Sequence, residues 1–288
     1  MVCQPEFRHH LKVCLGDGLW SALQERCQRT GETAAHVIRE ALAEALDLEH
    51  HTIYQVSTSG ALVQGVYQGC VRVGDLLKHG DFGLGTFEGL DGEGILLDGC
   101  CWQACADGTV RQAPGDALAP FWMATRFQAD HCEVLSLVGS WADLTQRLDA
   151  LRENANLFVA IRIRGLFERI RYRVACKAKP GDNLVTATSS QATFDLEQVA
   201  GTLVGFWTPS YAGAISLPGY HLHLLSDDRR HAGHVLELQG RGLSLELHRE
   251  SHLQLVLPET PDFLRADLSG DPVAALAEAE RDRLPKRR

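Results

Sequence analysis

Apolar and polar residues alternate near the start of the chain. From His10 to Leu15, Leu11, Val13 and Leu15 fall on one side and His10, Lys12 and Cys14 on the other, which predicts a short half-buried strand. After Gly16-Asp17-Gly18 the period becomes helical: Leu19, Leu23 and Cys27 recur every four residues until Gly31, a residue that readily closes a helix. Thr33 starts a second helix whose stripe of Val37, Ile38, Ala41, Leu42 and Ala45 makes one apolar face. Strand, helix, turn and helix within about 40 residues bury too little surface to stand alone. This segment is therefore expected to pair with a second copy or to dock on the remainder of the chain.

From His51 onward the pattern shortens to strands. HTIYQVST, DFGLGTFEGL, GEGILLDG, LFVAIRIRG and ERIRYRVAC read so by β-branched content, alternation or bounding glycines, and GTLVGFWTP, YHLHLLS, GHVLELQ, LSLELHR and LQLVLPE follow in the last third. Gln239-Gly240-Arg241-Gly242 is predicted as a hairpin turn. Helices interrupt the strands at VRVGDLLKHG, at WADLTQRLDALREN with Trp141, Leu144, Leu148 and Leu151 on one face, and from about Pro272 to Arg283. The expectation is an α+β protein of mainly antiparallel or mixed sheets in two subdomains with few helices, spanning residues 49–288, preceded by a small strand-helix-helix module over residues 1–48.

Composition narrows the function classes. At 288 residues, with 45% apolar and 23% charged content, the chain has enough material for a sizeable core, so disorder is not expected. A formal net charge of -9 disfavours broad attraction to nucleic acid or acidic membranes. The nine cysteines are odd in number, and Cys100, Cys101 and Cys105 lack the paired spacing of a structural zinc site, which reads as reduced thiols in the cytoplasm. Neither a signal-peptide core in MVCQPEFRHHLKVCL nor an apolar run long enough to span a membrane is found, so a soluble cytoplasmic protein is expected.

The densest local chemistry is Gly219-Tyr220-His221-Leu222-His223, followed after a polar turn by His231-Ala232-Gly233-His234. On a strand, His221 and His223 face the same side while Leu222 and Leu224 face the core. A returning strand would bring His234, or alternatively His231, beside them, giving three imidazole nitrogens of the kind that hold a catalytic divalent cation. His79 lies beside a glycine turn, where local backbone bonding explains it, and no catalytic role is assigned to it. There is no P-loop, and FGLGTFEG lacks the full dinucleotide-binding glycine pattern.

YQVSTSGALVQGVYQG, LLKHGDFGLGTFEGLDGEGILLDG, GTLVGFWTPSYAGAISLPGYHLHLLSDDRRHAGHVL and LPETPDFLRADL occur in order from about His50 onward, and together they resemble the alpha-acetolactate decarboxylase family. The resemblance implies a carboxy-lyase that converts 2-acetolactate to acetoin and CO2, with a zinc ion or another divalent transition metal stabilising the enediolate. It places the metal histidines at His221, His223 and His234. It also places an active-site glutamate at Glu93 in LDGE, an arginine at Arg173, a glutamate of a C-terminal helix at Glu280 and a pocket threonine at Thr86. Arg169 and Arg171 share strand parity with Arg173, and Glu278 is close to Glu280, so the family register alone selects among them.

Residues 8–48 separately resemble a ribbon-helix-helix module, in which paired strands of a homodimer enter DNA; the positions concerned would be His10, Lys12 and Cys14. Five Arg or Lys against seven Asp or Glu between Met1 and Leu48 offer little phosphate neutralisation, so a dimerisation arm is the preferred reading over DNA contact. The alternative function is a metabolite-sensing DNA-binding regulator built on a decarboxylase-like domain. It would be expected to have lost Glu93, Arg173 or a metal histidine, and all five are present.

Overall fold

The structure is a computed structural model that describes residues 12–46 and 51–280. The chain divides into two compact units, one ending at His50 and the other beginning at His51.

In the first unit, α1 (Asp17–Thr30) stops at Gly31, whose left-handed backbone (φ 76) lets its N–H bond to the carbonyl of Cys27. The hydroxyl of Thr33 accepts from His36 N and caps α2 (Ala34–Ala45). The strand expected over His10–Leu15 does not form among the described residues: residues 12–16 carry no strand, and His10 and Leu11 lie outside the described residues. A single strand with no neighbour in its own chain has nothing to exchange ladder hydrogen bonds with.

The second unit begins with β1 (Thr52–Val56), α3 (Ser59–Val63), β2 (Val71–Arg72) and α4 (Val73–His79). Five more strands build most of one sheet with it: β3 (Phe82–Thr86), β4 (Glu93–Leu97), β5 (Cys100–Ala104), β6 (Val110–Gln112) and, after the short β7 (Leu118–Ala119), β8 (Phe121–Thr125). The chain then forms β9 (His131–Val138), α5 (Trp141–Leu151), the long β10 (Phe158–Val174), α6 (Leu184–Ala187), β11 (Ala192–Thr208), β12 (Gly219–Ser226) and β13 (Ala232–Glu250). It closes with β14 (His252–Val256), α7 (Pro261–Arg265) and α8 (Val273–Glu280).

A seven-stranded sheet runs β14-β1-β8-β3-β4-β5-β6, and a five-stranded sheet runs β10-β11-β12-β13-β9. Among the described residues β1 and β14 alone pair in parallel; the other pairings are antiparallel, as expected for an α+β chain with short connections. Because β10 pairs with both β11 and β13, four strands of the second sheet close on themselves. One apolar core lies between the sheets, with Ile53, Phe82 and Leu84 from the first and Phe206, Leu222 and Leu245 from the second. On the far face of the first sheet, Trp122 and Leu96 pack with Leu76 of α4.

The hairpin expected at Gln239–Gly242 is absent. Strand β13 runs through it, and LFVAIRIRG with ERIRYRVAC likewise forms one strand, β10. In both cases a glycine lets a continuous strand bend instead of reversing. Gly242 (φ +60) sits where β13 runs between β10 and β9, and β10 shifts register against β13 between Arg164 and Phe167. Neighbours on both sides hold such a strand straight enough to continue, and the local glycine pattern carries no information about them.

Candidate active site

Strand pairing assembles the histidines. His221 and His223 lie on β12, where alternation turns Leu222 and Leu224 into the core, and His223 is directly opposite His234 on β13. Strand β10 then sets Arg173 opposite His234. The ring centroids of His221 lie 4.8 Å from those of His223 and His234, and one nitrogen from each of the three rings falls within 4.8 Å of the others. His231 points elsewhere, 3.5 Å from the hydroxyl of Tyr172.

The rings suit a cation. His223 Nδ1 lies 3.0 Å from the carbonyl oxygen of Gly94, which can only accept, so Nδ1 carries the proton and Nε2 keeps its lone pair for a metal. That Nε2 sits 3.0 Å from His221 Nε2. Burial, and after it the proximity of His234, pushes His221 down to about 3. Burial likewise holds His223 and His234 below the usual histidine range, with His221 and Arg173 adding to the effect. Neutral imidazoles with converging lone pairs are the form that binds a divalent metal.

Around them stand the charged groups. Arg173, 3% exposed, donates from Nη1 to the Ala279 carbonyl at 2.5 Å and from Nη2 to Glu280 Oε2 at 2.7 Å. Glu280 Oε2 is also 3.0 Å from His234 Nε2. Burial raises the Glu280 carboxyl, but Arg173 and His234 outweigh it and hold the group well below the ordinary carboxylate value. Glu93 is the first residue of β4. Its Oε1 accepts from Ala175 N at 3.1 Å, and its Oε2 lies 3.6 Å from His223 Nε2. Burial dominates there and pushes Glu93 up to about 7. Thr86, paired with Glu93 across β3 and β4, donates its hydroxyl to the Gly92 carbonyl at 2.7 Å. Thr86, Glu93, Arg173, His221, His234 and Glu280 all line one cavity, together with an apolar wall that includes Leu62, Leu217 and Leu276.

Residues 53–270 match the family model of alpha-acetolactate decarboxylase. This chain belongs to that family. An alpha-acetolactate decarboxylase of Methanosarcina mazei is 42% identical over 217 residues, covering 75% of this chain and 75% of that relative. One of Bacillus licheniformis is 34% identical over 242 residues, covering 84% of this chain and 96% of the relative. Among solved structures, the alpha-acetolactate decarboxylase of Bacillus subtilis strain 168 superposes with a TM-score of 0.77 at 35% identity, over 80% of this chain and 98% of that one.

Within this decarboxylase framework the structure separates residues that parity left equivalent. Strand β10 pairs with β11 without interruption from Arg169 to Arg173, so the three arginines keep one face; their neighbours separate them, since Arg173 meets Ala279 and Glu280 opposite His234 whereas Arg169 and Arg171 lie beside Asp195 and Glu197. On α8, Glu280 reaches His234 and Arg173, while Glu278 is exposed. His79 stacks on Tyr54, ring centroids 3.7 Å apart, away from the histidine cluster. Sequence reasoning missed the main-chain groups: the Gly94 and Ala279 carbonyls and the Ala175 N–H carry no side-chain signature at all.

Proposed function

We propose that this decarboxylase converts 2-acetolactate to acetoin and CO2 at the cavity beside His221, His223 and His234, with zinc as the cation those imidazoles hold. The carrying observation is the three converging ring nitrogens with Arg173 and two carboxylates of different character around one cavity. The cation would supply Lewis acidity where negative charge develops on the substrate's ketone and hydroxyl oxygens as the carboxylate leaves. Arg173 spends two of its five N–H donors on Ala279 and Glu280 and so presents a fixed guanidinium plane to the cavity. That plane matches a carboxylate, and in this reading it orients the one that is lost. Glu280 holds Arg173 in place. Glu93, anchored through Oε1 by Ala175 N–H, exchanges the proton that replaces CO2, and delivery from one fixed side sets the configuration of the product. Thr86 lines the same cavity and fixes the Gly92 turn before Glu93.

The wider reading is a cytoplasmic homodimer with residues 1–48 as its dimerisation arm. Leu19, Trp20, Ile38 and Leu42 are exposed on α1 and α2, the kind of apolar surface that a second copy covers. No helix among the described residues is long and apolar enough to cross a membrane.

The test is acetoin and CO2 formation from racemic 2-acetolactate before chelation, after it, and after zinc is restored. Activity that falls with chelation and returns with zinc supports the reading. Folded, zinc-loaded protein that makes no acetoin refutes it.

A further inference from the structure

At the far end of β13 from His234, a second group of buried ligand-type side chains stands outside the cavity. His248 and Glu250 come from the end of β13, and His51 from the turn immediately before β1. They are 1%, 1% and 7% exposed. One ligand atom from each falls within 4.8 Å of the other two, the same closeness that the catalytic histidines show.

His248 lies between the other two, with one ring nitrogen toward each. His248 Nε2 lies 3.0 Å from His51 Nδ1, and His248 Nδ1 lies 3.2 Å from Glu250 Oε1. His51 Nδ1 is 2.6 Å from the Arg249 carbonyl, which can only accept, so Nδ1 carries the proton and Nε2 is the nitrogen His51 has for a cation; Gln128 N approaches His248 Nδ1 at 3.4 Å. No well-aligned hydrogen-bond donor reaches either oxygen of Glu250, although the Thr125 hydroxyl and the Asp130 carboxylate are near enough to influence it. A carboxylate removed from water needs a counter-charge or several donors. The charged neighbour acting on this one, Asp130, has the wrong sign, and two imidazoles stand beside it.

We propose that His51, His248 and Glu250 form a second divalent-cation site, distinct from the catalytic one and structural in role. Two imidazoles and one carboxylate make a donor set that suits zinc and excludes the all-oxygen preference of calcium or magnesium. The position explains the role. His51 leads into β1 of the seven-stranded sheet, whereas His248 and Glu250 close β13 of the five-stranded sheet. A cation held by all three ties the two sheets together at the edge where β14 leaves β13. His51 itself has a left-handed backbone (φ 49), and its carbonyl accepts from both Ser251 N and His252 N, so the chain there is already drawn into a tight knot. The inference does not rest on the proposed reaction, because neither its site nor its readout involves turnover.

The experiment counts zinc. Full-length protein is loaded with zinc chloride, dialysed against metal-free buffer and analysed for zinc per chain by plasma mass spectrometry. Two equivalents are expected, falling to one in Glu250→Gln and to one in His223→Ala, with none in the double variant. Glu250→Gln should keep acetoin formation and lose the part of the thermal midpoint that added zinc confers. One equivalent in the wild-type protein, lost entirely in His223→Ala, overturns the proposal and leaves the cluster as a hydrogen-bonded Glu-His-His chain. Should Glu250→Gln fail to fold, crystals of the wild-type protein measured at the zinc absorption edge decide: an anomalous peak among His51, His248 and Glu250 supports the site, and a single peak at His221, His223 and His234 refutes it.

Discussion

Replacing Arg173 with lysine separates charge from geometry. Arginine donates at 2.5 Å to Ala279 O and at 2.7 Å to Glu280 Oε2 from two nitrogens of one rigid plane. Lysine keeps the positive charge but offers a single nitrogen on a shorter reach, so it cannot hold the helix carbonyl, the glutamate and a substrate carboxylate at once. A hydrogen bond to a charged group contributes about 1.5–3 kcal/mol. If the missing one is the bond to the substrate carboxylate in the transition state, kcat/KM falls by about 10- to 150-fold at 1.36 kcal/mol per factor of ten. Zinc content should not change, because the three histidines are untouched. The assay is acetoin formation across a range of 2-acetolactate concentrations, with zinc per chain and circular dichroism measured on the same samples. A folded, zinc-loaded Arg173→Lys protein within about twofold of wild-type kcat/KM would show that the guanidinium plane does not orient the substrate.

Three further outcomes follow from the same geometry. Glu93 is raised from 4.5 to about 7, so in metal-free protein the unfolded chain ionises this carboxyl first; its contribution to stability is fully present below 4.5, declines as pH rises, and is lost above about 7. Denaturant titrations of metal-free Glu93→Gln should therefore show it gaining on wild type between those values by up to about 3 kcal/mol, and a constant gap across that range would contradict the assignment. A Cβ on Gly205 would lie 2.0 Å from the His221 carbonyl oxygen, so Gly205→Ala should separate β11 from β12, lower the thermal midpoint and reduce bound zinc; unaltered zinc content would mean that β12 is positioned by other contacts. His223→Ala removes a ring that lies between Gly94 O and the other imidazoles, and zinc affinity at the catalytic site should fall more than about tenfold, with acetoin formation not restored by zinc at wild-type concentrations.

The side chains that gather at the candidate site were easier to place from the sequence than the boundaries of the long strands. His221 and His223 were legible because a strand's period of two is local, and Leu222 between them marks the buried face. Arg173 was legible only through family resemblance, since Arg169, Arg171 and Arg173 share one face of β10 and only contacts with the distant α8 and β13 distinguish them. The single strand at Ala232–Glu250 was misread as two for the same reason: Gly240 and Gly242 mark a turn unless other strands bind both edges. β8, FWMAT, shows no alternation because both its faces are buried, so periodicity offered nothing to find. The cluster of His51, His248 and Glu250 joins residues from distant segments that share no motif.

Closure of the four strands β10 to β13 has a kinetic consequence. The cavity draws Thr86 and Glu93 from one sheet, Arg173 and the histidines from the closed ring and Glu280 from the last described helix, so almost the whole span from β3 to α8 must be in place at once. Pairings of such high contact order form late, after loop-closure entropy has been overcome. Recovery of turnover during refolding should then lag recovery of β-sheet signal, and acetoin production becomes a gauge of whether the final strand pairing has been made.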